Sequence, residues 1–490
     1  MGFKMSVTVG LSLGESFAEL TARAPDRAPL HARWQLARKR LSLGLGEALG
    51  PETVAGGGTL VIASMTGESV IARRLGRAPA LVSTAGFEHW PQMALAREAQ
   101  GDARHEPERK DAWSPLSDDL AFAATERTRA DGSIAEPLDE ADLARIAAKL
   151  KLVGAPSTAI SFLHARANPA HEKRAAEILR GEGLAITASH ELPPSAATGP
   201  GEVESERCWR AVLTAYTESA LADEEREIRE ALASPLWRIV WASDRERATL
   251  KPSLESAFGL EAALAREPES PRVDHRRRDQ RKPVAQETCL YFGLERFFAA
   301  GGGARLRDGF PWFRALRSEP ASPGTFSLQP VARVAVEGRG APAFLFETRG
   351  FEPGPMVLGK SLQPTALDVL SWRGHAPQAE GAPPLVNERV LPRIAEAILA
   401  LVKTTLPAIA RPDPAAVADD LEALLTESIV ADLAAAGLEG PFRATGPLAT
   451  AMAPLLGRRR PDWQVSLDPS KAEWAASEAL AEWAACEAKL

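Results

Sequence analysis

The sequence predicts an α/β protein. Short apolar, β-type runs alternate with helical segments across the first ~230 residues, the pattern of a mixed or parallel sheet with covering helices. The chain has 490 residues, 45% hydrophobic and 25% charged, so it holds enough apolar material for two or three domains with cores of their own. Near its start, Val7 to Leu11 and Phe17 to Thr21 read as two short strands around a turn containing Gly14, a hairpin of the kind that approaches phosphate through its backbone.

Leu60-Val61-Ile62-Ala63 reads as the next strand, Glu68 to Arg77 as a helix ending at Gly76-Arg77, and Ala80 to Thr84 as a strand. Asp139 is a capping residue with Asp142 three positions on, and Leu143, Ile146, Ala147 and Leu150 follow at helical spacing until Gly154. Thr158 to Leu163 is a strand. Asn168 and Pro169 open a helix that Gly181 or Gly183 stops, Leu184 to Thr187 completes a βαβ unit, and Arg207 to Ala220 is a long helix. Trp237 to Trp241 is strand-like, and Glu267 to Lys282 is a polar connection. Cys289 to Phe292, Val331 to Val336 and Phe344 to Phe346 are expected to supply strands to a second sheet. Pro377 to Pro384 forms a joint, followed by helices at Arg389 to Leu406, Pro414 to Ala436 and Lys471 to Leu490.

The formal net charge is −7, and the basic clusters His275 to Arg278 and Arg458 to Arg460 are short, so neither nucleic acid nor an anionic membrane is expected as a partner. Cys208, Cys289 and Cys486 are isolated, which excludes a disulfide framework and a Cys-x-x-Cys metal site and points to a reducing cytoplasm. Met1 to Met5 runs straight into a strand, and no run approaches ~18 apolar residues; no signal peptide or membrane span is expected.

Gly10-Leu11-Ser12-Leu13-Gly14-Glu15-Ser16-Phe17-Ala18-Glu19 resembles the Gly-Ile-Asp-Val-Gly-Gly-Thr-Phe-Thr-Asp opening of the hydantoinase A and 5-oxoprolinase family. Ala63 to Gly76, Ala80 to Glu88, Ser161 to Glu172, Ser189-His190-Glu191 and Glu206 to Tyr216 are similar to family segments, in order and spacing. The resemblance implies two related domains like those of actin, sugar kinases and Hsp70 (ribonuclease H-like), with a helical C-terminal part. On that basis 5–230 is the N-terminal-like domain, 231–375 a diverged second domain and 376–490 a mainly helical region. It also implies ATP-dependent opening of hydantoins, 5-oxoproline or lactams, or carboxylation of ketones, within multi-subunit complexes.

The nucleotide hairpins depart from the family pattern. Ser12 replaces an Asp, Glu15 a Gly and Glu19 an Asp; in the second hairpin, Tyr291-Phe292-Gly293-Leu294-Glu295-Arg296-Phe297-Phe298 keeps only Gly293 of Asp-x-Gly-Gly-Thr-x-Thr-Asp. Gly14, Ser16, Glu19 and Gly293 are the remnant cofactor-binding residues. Glu15 is expected to repel phosphate, and Phe297 and Phe298 to line the cleft with aromatic surface. The expectation is a subunit with a degenerate ATP site and no cofactor of its own, structural or regulatory within a hetero-oligomer of hydantoinase A-like and B-like subunits. The alternative is a divergent active hydrolase or carboxylase subunit using ATP and Mg.

Other residues have plainer readings. His164, His171 and His190 lack metal-ligand spacing and are expected in structural or surface roles. Glu88-His89, Lys360 and Gly301-Gly302-Gly303 read as solvated or turn positions. Trp474 and Trp483 fall on opposite faces of the terminal helix; the plainer reading is a helix docked within the chain, and the alternative leaves one face as a candidate for a partner.

Overall fold

Val7–Leu13 (β1) and Phe17–Arg23 (β2), runs buried on both faces over most of their length, build the first hairpin, and Leu30–Gln35 (β3) continues it antiparallel. The computed structural model describes residues 7–91, 113–192, 203–243, 248–266, 287–301, 326–337, 342–347, 354–375, 387–407, 412–467 and 473–488. The connection Glu267 to Lys282 with its basic cluster, Gly302-Gly303, Glu352-Pro353 and the joint Pro377 to Pro384 lie outside the described residues. Next come α1 (Leu41–Gly56), broken at Gly50-Pro51, then β4 (Gly58–Ser64), α2 (Thr66–Ala72) and β5 (Ala80–Thr84). Three short strands follow, β6 (Ala121–Ala124), β7 (Arg127–Thr128) and β8 (Ile134–Glu136). Helix α3 (Glu140–Val153) has the two signals expected of it: Asp139 accepts from the amides of Ala141 and Asp142, and Gly154 closes it in a left-handed conformation. β9 (Thr158–Ser161), α4 (Ala170–Gly181), β10 (Ile186–Ala188) and the long α5 (Glu204–Ala231) complete the stretch. Asn168 accepts from the Ala170 amide at 3.1 Å.

Beyond α5 run β11 (Trp237–Ala242), β12 (Ala248–Thr249), α6 (Gly259–Ala265), β13 (Thr288–Phe292), β14 (Phe297–Ala300), β15 (Arg333–Glu337) and β16 (Ala343–Glu347). The chain continues through α7 (Ala366–Trp372), α8 (Leu391–Thr405), α9 (Pro414–Ala435), β17 (Phe442–Thr445), α10 (Ala449–Arg459), β18 (Val465–Leu467) and α11 (Ala475–Glu487). The expectation for 331–336 and 344–346 needs correction. β15 and β16 pair only with each other as a two-stranded sheet, because the free edge of β13 is taken by β17 in parallel.

The chain forms two compact units: unit 1 is 1–65, 226–308 and 322–490, and unit 2 is 66–225 with 309–321. Unit 1 contains two sheets of related topology. The first runs β12-β11-β4-β1-β2-β3 and the second β14-β13-β17-β18; in each an antiparallel hairpin is flanked by parallel strands. Period-two alternation assigns the faces. Val9, Leu11, Leu60 and Ile62 pack with Trp34 and α1 on one side, and Val61, Ala63 and Val240 face α6 and α11 on the other. Cys289, Tyr291 and Phe298 join that second core, whereas Leu290, Phe292 and Phe297 face the core built with α7–α10. In unit 2 the four-stranded sheet is parallel throughout, in the order β10-β9-β5-β6, with α3 and α4 covering one face, and β7 and β8 pair antiparallel beside it in sequence.

Helix α11 docks within unit 1. Its backbone lies so close to β1 that a Cβ on Gly10 would stand 2.1 Å from the Ser477 carbonyl oxygen and 2.3 Å from the Ala481 nitrogen. The first glycine of the hairpin motif thus admits a helix. Trp483 is buried in this contact, and Trp474 stands just before the helix, stacked on His31 at 5.1 Å. Both tryptophans therefore pack within unit 1, as the reading of a terminal helix docked within the chain expects. Gly10→Ala is expected to loosen α11 and destabilise unit 1 by about 1–3 kcal/mol, the usual size of an overpacking penalty. Faster tryptic cleavage near residue 473 than in the wild type checks it, and unchanged cleavage contradicts it.

Candidate functional site

The two hairpin turns of unit 1 have the same internal geometry. Gly14 N–H donates to the Phe17 carbonyl at 2.9 Å, and Gly293 N–H donates to the Arg296 carbonyl at 3.0 Å. A cavity of about 50 Å³ lies against both turns, and Ser12, Gly14, Glu19, Arg33, Gly293 and Glu295 are among its lining residues. Gly14, Glu19 and Gly293, singled out from the sequence, are thus brought to one place, with Ser16 in the same turn as Gly14.

Glu19 is buried, and its carboxylate is already engaged. Its Oε2 accepts from Arg33 Nε at 3.0 Å and Nη2 at 2.8 Å, and its Oε1 accepts from Ser477 Oγ at 3.1 Å. Arg33 also donates to Glu473 at 3.0 Å and lies over the Trp474 ring at 4.5 Å. Burial opposes the Arg33 charge, but Glu19 and Glu473 outweigh it and hold the guanidinium above its ordinary value. Burial pushes the neighbouring Tyr291 hydroxyl well up, and the Glu19 charge adds to that.

The second turn sends Glu295 into the first. Glu295 Oε1 accepts from the Ser16 amide at 2.5 Å, and Oε2 would lie 1.7 Å from a Cβ on Gly14. Burial raises the Glu295 carboxyl to about 7; Glu15 acts in the same direction, and the hydrogen bonds from Ser16 and the Lys360 charge act against it. Glu15 turns to Lys360, with Nζ 3.1 Å from its Oε1, so the lysine expected in solvent is half of an ion pair. Phe297 and Phe298 require a correction. They are buried on opposite faces of β14 in two different cores, and the aromatic residues lining the cavity are Phe17 and Tyr291.

In unit 2 the three histidines gather near the C-terminal ends of the parallel strands, each beside a different carboxylate. His171 Nδ1 is 2.8 Å from Glu126, His190 Nδ1 2.7 Å from Glu172, and His164 Nδ1 3.9 Å from Glu204. Glu172 is fully buried and also accepts from the Phe162 amide at 2.9 Å and Ser189 Oγ at 2.6 Å, with Arg207 at 3.5 Å. Thr84 donates to Glu126 and accepts from the Leu163 amide at 3.0 Å, tying β5 to β9. A buried network of this extent ties the strand ends together. Among the described residues no group of three His, Cys, Asp or Glu is placed to hold a metal ion. Burial raises the Cys208 and Cys289 thiols to about 12 and about 11, which leaves neither as a ready nucleophile.

Glu295 and Arg33 were not identified as site residues from sequence. Glu295 stood in the second motif only as a replacement for Thr. Arg33 sits on a strand whose alternation, His31-Ala32-Arg33-Trp34-Gln35, was the available signal.

Two sheets of this kind, each with an antiparallel hairpin beside parallel strands, define a mixed α/β fold. Two solved structures are similar at fold level: a nucleotide-free acetone carboxylase, with a TM-score of 0.68, 16% identity and coverage of 97% of this chain and 70% of that one, and the ATP-dependent caprolactamase of Pseudomonas jessenii, with a TM-score of 0.65, 17% identity and the same coverage. Residues 53–183 match the model of the hydantoinase/oxoprolinase N-terminal region. Over those residues the chain is similar to the hydantoinase A-like family. It is 34% identical over 116 residues to the acetophenone carboxylase gamma subunit of Aromatoleum aromaticum, across 22% of this chain and 15% of the relative. It is 35% identical over 97 residues to an uncharacterized protein of Methanocaldococcus jannaschii, across 19% and 13%. These matches therefore span well under a fifth of either relative.

A phosphate gripped by the first turn would meet the Glu295 carboxylate at the Ser16 amide, and Glu19 is taken up by Arg33 and Ser477. No helix among the described residues is long and apolar enough to cross a membrane.

Proposed function

We propose that this chain is a non-hydrolysing hydantoinase A-like subunit of a cytoplasmic complex, where it serves a structural or regulatory role beside active hydantoinase A-like and B-like partners. The observation that carries this reading is the commitment of Glu19, the carboxylate retained in the first hairpin, to Arg33 and Ser477. A hard cation needs carboxylate oxygens that are free to turn toward it, and both oxygens of Glu19 already accept charged or hydroxyl donors. The cavity supports the same reading: about 50 Å³ is small beside the ~300–1,000 Å³ of ordinary ligand pockets. The similar acetophenone carboxylase gamma subunit is by its name one part of a larger enzyme, which supports a hetero-oligomer.

Isothermal calorimetry with Mg-ATP tests the reading on the purified chain. No heat is expected at micromolar nucleotide, and no phosphate release in a turnover assay. Micromolar binding with turnover by the isolated chain would make it a divergent ATP-dependent hydrolase or carboxylase subunit instead.

A further inference from the structure

We propose that Glu295 is a built-in oxyanion: its carboxylate fills, from within the chain, the seat that the Gly14-Glu15-Ser16 turn offers an anion, and the seat takes inorganic phosphate or pyrophosphate once that carboxylate is removed. This rests on the non-hydrolysing reading of the two hairpins and names what occupies them.

Three features of the turn describe an anion seat. The Ser16 amide points at Glu295 Oε1 from 2.5 Å, the geometry of a charge-assisted hydrogen bond. Gly14 presents no side chain, and any Cβ there would overlap Glu295 Oε2 at 1.7 Å and Cδ at 2.8 Å, so the carboxylate fills the space that the glycine leaves. Lys360, 3.1 Å from Glu15, places a cation beside the turn. One backbone amide, the space left by a glycine and a nearby ammonium thus surround the group, and that group is a carboxylate.

The delivery is geometric. Both hairpins close with the same glycine-to-carbonyl hydrogen bond, so Glu295 has the same place in its turn as Ser16 has in the first. A Ser or Thr at that place is too short to cross between the turns; a glutamate, with two methylenes, reaches. The contact joins residues 279 apart in sequence and ties the two hairpins of unit 1 together without a ligand.

Removing the carboxylate while leaving the turns intact should unmask the seat. Glu295→Ala frees the Ser16 amide and deletes one negative charge, and it is expected to bind inorganic pyrophosphate at least about tenfold more tightly than the wild type by calorimetry, with a matching phosphate-dependent rise in Tm. Glu295→Gln keeps an oxygen on the Ser16 amide and should show no gain. A folded Glu295→Ala with wild-type indifference to both anions overturns the proposal, as does an equal gain in Glu295→Gln. If Glu295→Ala fails to fold, the Ser16 amide proton resonance decides: it is expected to move with pH in the wild type and to stay fixed in Glu295→Gln, and identical behaviour overturns the proposal. Mg-ATP turnover by the wild type would refute the non-hydrolysing reading, whereas absence of an anion gain in Glu295→Ala refutes only the seat, so the two failures are told apart.

Discussion

Replacing Arg33 with methionine is expected to destabilise unit 1 by about 3–5 kcal/mol, the usual penalty for removing one partner of a buried ion pair. The Arg33 side chain is 2% exposed and that of Glu19 9%, so water cannot take over the hydrogen bonds the guanidinium gives. Glu19 would keep only Ser477 as a donor, and the loss would spread to Glu473 and Trp474, which hold Arg33 from the start of the C-terminal segment. Urea unfolding read at the terminal tryptophans, of which Trp474 packs against Arg33, should report the loss. The double variant Glu19→Gln, Arg33→Met should recover much of it, because a neutral amide beside an apolar chain removes the uncompensated charge. A loss under about 1 kcal/mol for the single variant would mean that the pair behaves as an exposed one, and the argument that Glu19 is unavailable to a cation would lose its basis.

Much of the fold was legible because its signals were local. Ala80 to Thr84 was read with its observed bounds, and Asp139 and Gly154 delimited α3, since capping geometry and an apolar run of β-type residues act over a few positions. The hairpin β1–β2 was shorter in the reading than in the structure, where the strands extend to Leu13 and Arg23. β17 was missed: Phe442–Thr445 is four residues long and alternates Phe442, Ala444 with Arg443, Thr445, too little to outweigh the helical signals around it. β3 went unread for a different reason. Amphipathic logic sends His31, Arg33 and Gln35 to water, whereas Arg33 is drawn inward by a carboxylate and covered by the residues before α11.

The candidate site was legible in its losses and not in its replacements. Comparison of motif letters showed that Ser12 and Tyr291 lack a carboxylate. It did not show that Glu15 turns to Lys360, or that Glu295 crosses to Ser16, because both are contacts between segments hundreds of residues apart. The same residues altered the meaning of the conserved glycines. Gly10 and Gly14 fit the family pattern, and here one admits α11 and the other a glutamate side chain.

The Glu295 contact carries a second large expected effect, on the pH dependence of stability. Burial raises this carboxyl to about 7 in the folded chain, whereas an unfolded glutamate titrates near its ordinary value of 4.5. Its folded value lies above its unfolded value, so its contribution is fully present below about pH 4.5 and is lost as pH rises through about 7, because the unfolded chain releases the proton first. A difference of about 2.5 units corresponds to about 3 kcal/mol between pH 4 and pH 8. Glu295→Gln does not titrate and keeps an acceptor for the Ser16 amide. Relative to the wild type it is therefore expected to gain about 3 kcal/mol across that interval, with the steepest change between pH 5 and 7. Chemical unfolding of both proteins at half-unit steps of pH measures the difference directly, and a constant offset would show that the carboxylate is solvated. The gain belongs to folding alone, since the amide still fills the turn and the anion seat stays closed. The cost of burying this carboxylate is what the pH profile reads.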